Sequence, residues 1–323
     1  MKNKIREEIK SKFVSYWESL ALSAACKFNL FDLIHDGYNE LASLQLKSNT
    51  DLLILSKLLN VLIQLGFVSV DNQCYTLTEK GLLLTDVHPE SLKQACILWS
   101  EEHLTAWQNL DTTLKSGKSS FREVFKQDYF SYINQYPSKL KNYQLAMEEY
   151  AREDYQNSSQ IYDFTIHKSI MDVGSGTGLL IDSIVRDTGI QGYMFDYVEV
   201  LNLTENKTHI HKVSGNFLEH IPSLAEAILL ARVLHDWEDE KVKVILRNCY
   251  TALPDNGKLY IIEILKELLP DKAALLDLNM SVMCNSSERT VAEYNSLLSQ
   301  SGFTFIELKE VNSLQYLLVW EKI

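Results

Sequence analysis

The stretch Ile170–Gly178, IMDVGSGTG, constrains the fold more than any other. A short apolar run closes on Asp172 and passes into a Gly-x-Gly-x-Gly turn at Gly174, Gly176 and Gly178. Glycine reaches positive φ freely and lets backbone approach a ligand closely. The following LLIDSIV has its apolar residues at helical spacing. The pattern predicts strand, tight loop, helix. Such a unit puts loop amides and a helix N-terminus at the carboxyl end of a parallel strand, where α/β sheets bind ligands. The spacing departs from the Gly-x-Gly-x-x-Gly dinucleotide fingerprint.

The chain beyond this loop alternates strand and helix through 181–187, 193–196, 210–213, 227–233, 240–252, 258–263, 290–301 and 315–321. That repetition predicts a doubly wound parallel sheet. One strand, GYMFD, ends in Asp196, 18 residues after Gly178. An acid there commonly accepts from both hydroxyls of a ribose. Another strand, within 227–240, ends in His235-Asp236-Trp237. Asp236 is placed to cap the helix expected over 236–248. A Pro-Asp-Asn-Gly turn leads into YIIE, and the last strands are expected at Thr304–Glu307 and Gln315–Trp320.

The N-terminal third reads differently. Residues 11–31 carry apolar positions at helical spacing, and 51–65 form a very apolar helix after Asp51, ended by Gly66. FVSV, DNQC and YTLT then read as strand, turn and strand. Helices plus a hairpin predict a winged helix. Charge argues against DNA as its partner: the would-be recognition helix offers only Lys57 as a cation, and the whole chain carries −12. His88-Pro89 marks a boundary, giving an N-terminal domain over 1–90 and a second over 91–323, with helices expected at 91–114 and 138–160. The five cysteines are scattered without a Cys-x-x-Cys pair, and the N-terminus is charged rather than apolar. We expect no disulfide framework, no metal, no membrane association and a cytoplasmic location.

The Gly-rich loop, the acid at Asp196 and the His-Asp-Trp strand end resemble the class I S-adenosylmethionine-dependent methyltransferases. More narrowly, they resemble the small-molecule O-methyltransferases of the plant caffeate/acetylserotonin and bacterial natural-product type. The resemblance implies a Rossmann-like sheet with an antiparallel final strand and a mainly helical winged-helix domain used for homodimerisation. It implies S-adenosylmethionine as cofactor, held by Asp172, Gly174, Gly176, Asp196, Asn216, Phe217 and Trp237. Asn216 stands where the family usually has Asp, and it can accept from the adenine amino group through its side-chain carbonyl. Phe217 is suited to stacking on the adenine. WSEEHLTAWQNL (99–110), NYQLAMEEYARE (142–153) and LDLNMSVMCNSSERT (276–290) match segments that line the acceptor pocket. Trp107, Met147, Met280 and Met283 are the candidates there. DYFSYINQY (128–136) matches a family segment without an assigned role. The chain departs from the family at Asp-Tyr-Val after the second strand and at Ala231, where Lys or Arg is common.

By the same resemblance His235 is the general base, flanked by Glu263 and Glu288. Methyl transfer is an in-line displacement, and alignment alone supplies on the order of 7–11 kcal/mol. A phenol (pKa about 10) losing its proton fully to an ordinary His (about 6.5) would climb about 3.5 units, roughly 5 kcal/mol. The proton must therefore leave in concert with attack, or the pocket must acidify the hydroxyl. The expected reaction is methylation of a phenolic or enolic hydroxyl in secondary metabolism. Methylation of carbon beside a keto group, and a relative that binds the cofactor without transferring its methyl, are the alternatives.

Overall fold

The computed structural model describes residues 2–155 and 158–323. The chain divides into two compact units, one ending at Leu104 and the other spanning Thr105–Ile323. No helix among the described residues is long and apolar enough to cross a membrane.

The first unit holds helices Lys2–Phe13, Tyr16–Lys27, Leu30–His35, Leu41–Ser48 and Leu52–Gln64, then a hairpin of β1 (Val68–Asp71) and β2 (Cys74–Leu77). The single helix expected over 11–31 is broken. Asn29 takes a left-handed φ of 53°, turning the chain between two helices. Asp51 caps the apolar helix by accepting from Ile54 N at 2.9 Å. Leu30, Phe31, Leu44, Leu55, Leu59 and Leu62 form the core. The buried Lys93 ammonium is compensated by Asp32 (2.6 Å), Asp86 (2.7 Å) and Asn29 (2.9 Å).

The helix expected over 91–114 is three pieces, Lys93–Leu98, Glu102–Gln108 and Leu110–Ser116. Asn109 ends the middle piece by donating its side-chain amide to the Thr105 carbonyl. The segment expected over 138–160 gives a helix at Pro137–Asp154 and a turn at Ser158–Ile161; residues 156 and 157 lie outside the described residues.

The second unit is built on a seven-stranded sheet ordered β5-β4-β3-β6-β7-β9-β8. Its strands are β3 (Ser169–Val173), β4 (Gln191–Asp196), β5 (Ile210–Ser214), β6 (Ala227–Ala231), β7 (Lys258–Glu263), β8 (Phe303–Glu310) and β9 (Tyr316–Lys322). β3 to β7 run parallel, whereas β9 pairs antiparallel with both β7 and β8, so the sheet is mixed. Side chains alternate between two buried layers. Met171, Ile228 and Leu230 face one; Ile170, Leu229 and Ile262 face the other. Burial on both faces explains the near-continuous apolar strands. The chain order reverses about β3, with β4 on one side and β6 on the other, which opens a crevice at the carboxyl ends of these strands.

Candidate active site

The Gly-rich turn follows β3 directly. Gly174, Gly176 and Gly178 all have positive φ. A Cβ on Gly174 would lie 2.8 Å from a Val233 methyl, and one on Gly176 would meet the Gln144 side-chain oxygen at 3.0 Å. The loop is therefore open only to glycine. Asp196 closes β4, and its two oxygens accept from Gly176 N (2.9 Å) and Tyr197 N (2.7 Å). Burial pushes its pKa up to about 6 despite these two amides. Asp172 is buried beside it and pushed up to about 8, by burial first and the Asp196 charge second. Two acids facing a backbone cradle suit a ligand with hydroxyls and a positive charge.

Trp237 and Phe217 pack edge to face with centroids 5.7 Å apart, and Trp237 stacks on Phe130 at 5.6 Å. These rings form an aromatic wall. Asn216 is occupied locally: its Oδ1 accepts from Leu218 N and its Nδ2 donates to Glu219, both at 3.0 Å. Asp236 does not cap the next helix, which begins at Asp239 with Glu238 as its N-cap residue. It lies instead in a short 3₁₀ turn, Leu234–Asp236, where it accepts from the Cys284 thiol at 3.8 Å.

That turn carries His235, which is buried. Its Nδ1 lies 3.0 Å from Glu288 Oε1 and its Nε2 lies 3.1 Å from the Arg232 carbonyl oxygen. Glu263, at the end of β7, accepts from Leu234 N (2.9 Å) and His235 N (3.3 Å), fixing the turn to the sheet. Arg232 lies between the acids, 3.3 Å from Glu263 and 3.4 Å from Glu288. The His235, Glu263 and Glu288 ligand atoms sit within 4.8 Å of one another, with the Arg232 guanidinium paired to both carboxylates. Arg289 ties the segment after Glu288 to the same turn, donating to the carbonyls of Leu234 (2.8 Å) and Trp237 (2.7 Å) and to Asp239.

Electrostatics follow from this packing. Burial and the Arg232 charge push the His235 pKa down; Asp236, Glu263 and Glu288 outweigh them and hold it at about 9. Burial pushes Glu288 up, but the His235 and Arg232 charges bring it down to about 2. Among the described residues its other oxygen, Oε2, has no hydrogen-bond partner. Burial leaves Glu263 raised above the ordinary carboxylate value.

The remaining candidates fall on three helices. The Trp107 indole donates to Asn279 Oδ1 at 2.8 Å, joining the Glu102–Gln108 helix to a second of these, Pro270–Met283. Met280 and Met283 are buried on that second helix, and Met147 is half-buried on Pro137–Asp154. Sequence reasoning missed Arg232, because it looked for a cation at Ala231, one position earlier. The missed signal was a lone Arg inside an apolar strand end. It also missed Asn279 and Cys284, which contact Trp107 and Asp236 and whose residue types carry no positional signal of their own.

Residues 107–304 match the family model for the O-methyltransferase domain, and residues 12–86 match that for the O-methyltransferase dimerisation domain. A phenazine O-methyltransferase, PhzM, of Lysobacter antibioticus is 28% identical over 302 residues, covering 89% of this chain and 88% of that protein. A phenazine-1-carboxylate N-methyltransferase of Pseudomonas aeruginosa is 26% identical over 298 residues, covering 89% and 88%. The fold is shared with human N-acetylserotonin methyltransferase in complex with SAM, at a TM-score of 0.90 and 24% identity over 98% of this chain and 97% of that one. The open glycine loop and paired acids fit that methyl donor, and the chain belongs to the S-adenosylmethionine-dependent O-methyltransferase family.

Proposed function

We propose that this protein transfers a methyl group to a hydroxyl of a small phenolic or enolic metabolite, with His235 handling the hydroxyl proton in the general-base role. The observation that supports this is convergence: β7, the turn after β6 and the segment after Met283 bring Glu263, His235 and Glu288 together beside the glycine loop. Gly174, Gly176, Asp172 and Asp196 would hold the donor, with Phe217 and Trp237 against its base. When bound, S-adenosylmethionine supplies an electrophilic methyl carbon. Glu288 holds Nδ1–H, which directs Nε2 at the acceptor once it leaves the Arg232 carbonyl. Trp107, Met147, Met280 and Met283 would line the acceptor side, where methionine adapts to a flat apolar ring.

The domain division at about residue 90 and a homodimer formed through the N-terminal domain belong to the same reading. Its helices leave Phe13, Trp17, Leu52, Leu53 and Ile54 exposed, an apolar surface that a second copy would cover. The Pseudomonas relative named for N-methylation favours a nitrogen acceptor as the second reading.

The test begins with calorimetric titration of S-adenosylmethionine and its demethylated product, then a screen of phenols, enols and aryl amines for the mass gain of one CH₂. His235→Ala should keep cofactor affinity within a few fold and lower turnover by about 10²-fold or more. Unchanged turnover would remove His235 from the chemistry.

A further inference from the structure

The Trp107 indole fixes how Asn279 presents its side chain. An indole N–H only donates, so the group 2.8 Å from it has to be the amide oxygen, and the amide cannot be reversed. That leaves Nδ2 with two hydrogens to give. Asn279 is buried, and no described residue accepts from its Nδ2. A buried amide nitrogen without an acceptor is costly, and folded proteins avoid it unless a ligand or water completes the bond.

Asn279 lies among the residues read above as the acceptor side. Met280 follows it, and Met283 is one helical turn further on the same face. Trp107 packs in the same cluster as Met283 and Tyr129. The helix is tied to the His235 turn and to Glu288 from both sides of Asn279. Asp277 Oδ1 accepts from the Glu288 N–H at 2.9 Å, and the Cys284 thiol at the helix end reaches Asp236 at 3.8 Å. The cations on the segments that hold this helix are matched: Arg232 by Glu263 and Glu288, Arg289 by Asp239, and Lys266 by Asp277. An anionic substituent would draw on none of them, so the complement of the amide is a neutral oxygen.

We infer that Asn279 determines acceptor specificity: its Nδ2 donates to a neutral oxygen, keto or methoxy, that the acceptor carries apart from the hydroxyl being methylated. This rests on the O-methyl transfer reading and names the substrate class within it. The acceptor is an oxygenated ring with a hydrogen-bond-accepting substituent, rather than a phenol substituted only by hydrocarbon. The indole bond sharpens the choice. An amide free to turn could offer its oxygen to an amino substituent instead; turning here would leave the Trp107 N–H without its acceptor. An alkyl group in the place of the oxygen leaves Nδ2 unpaired in the complex, and a site built to hydrogen-bond its substrate rejects an analogue that lacks the partner.

Pairs of phenols and naphthols that differ only in methoxy against ethyl, placed at each ring position, test this on the full-length protein. The two groups match closely in shape and barely alter the acidity of the hydroxyl. Release of S-adenosylhomocysteine from S-adenosylmethionine is the readout. We expect kcat/KM to favour methoxy by about ten-fold or more at one ring position at least. Asn279→Asp keeps an oxygen for the Trp107 indole and has no N–H to give, so this preference should vanish. Circular dichroism and calorimetric binding of S-adenosylmethionine check that the variant is folded. Equal kcat/KM within every pair for the unaltered protein would overturn the inference, and so would a preference that survives Asn279→Asp. If that variant does not fold, Trp107→Phe, which frees the amide to turn, should weaken the preference; an undiminished one would overturn the inference. Turnover of no phenol by protein that binds the cofactor would overturn the O-methyl reading itself, and the inference with it.

Discussion

Glu288→Gln removes one charge and almost no volume, and its effect on His235 follows from the 3.0 Å separation between Nδ1 and Oε1. Unit charges 3.0 Å apart attract by roughly 5 kcal/mol at an effective dielectric constant of about 20. That is about 4 pKa units at 1.36 kcal/mol each. Relaxation of the site and the acceptor oxygen that Gln retains reduce it, so we expect a fall of about two units or more. The sign is fixed. Burial and Arg232 remain, both disfavour the imidazolium, and the pKa drops from about 9 into or below the neutral range. The ¹⁵N titration of the His235 ring reads this directly, with circular dichroism confirming a folded variant. Turnover falls as well, because a glutamine there neither fixes the Nδ1–H tautomer as firmly nor stabilises the imidazolium that forms when the proposed general base takes the proton. An unmoved His235 titration in folded protein would refute the electrostatic reasoning. Unchanged neutral-pH turnover would refute the part proposed for Glu288 in the chemistry.

Asp196→Ala should weaken S-adenosylmethionine by roughly ten-fold or more, as expected for losing hydrogen bonds to a charged acceptor; unchanged calorimetric affinity would undo the ribose assignment. Gly174→Ala forces a side chain into a left-handed backbone at φ +75° and against Val233. It should lose about 1–2 kcal/mol of stability and bind the cofactor less well, both seen in a thermal melt with and without ligand. Asp172 has a folded pKa raised to about 8, so stability is lost as pH rises from the ordinary carboxylate range through that value. Asp172→Asn should flatten this decline in a melting series across that window. A slope identical to that of the unaltered protein would mean that Asp172 is ionised at neutral pH.

Where backbone geometry dictates residue type, the sequence was readable. Gly174 and Gly176 marked the loop because no other residue fits there, and apolar runs such as YIIE marked strands buried on both faces. Asp51 signalled the start of its helix through a cap that the structure shows. His235, Glu263 and Glu288 could be proposed together only through resemblance, since nothing local in three distant segments says that they meet. Arg232 was illegible for a further reason. It holds a left-handed φ of 56°, a conformation its side chain does not favour, and tertiary ion pairs keep it there. Asp236 misled because an acid before a helix usually caps it; here the 3₁₀ turn spends that residue beside the imidazole. The break at Asn29 within the expected N-terminal helix was equally hidden, because asparagine tolerates both helical and left-handed backbone.

Arg289 has a consequence for how such a protein can diversify. Its guanidinium clamps the segment after Glu288 to the turn that bears His235, through the Leu234 and Trp237 carbonyls. The helix Pro270–Met283, which carries Asn279, Met280 and Met283, ends before that clamp. The same helix also holds Glu288 directly, because Asp277 Oδ1 accepts from the Glu288 backbone N–H at 2.9 Å. On the proposed function, the acceptor side and the His235–Glu288 pair are coupled through Asp277, so a descendant that exchanges one ring system for another by altering Met280 or Met283 has to keep Asp277 to leave that pair in place.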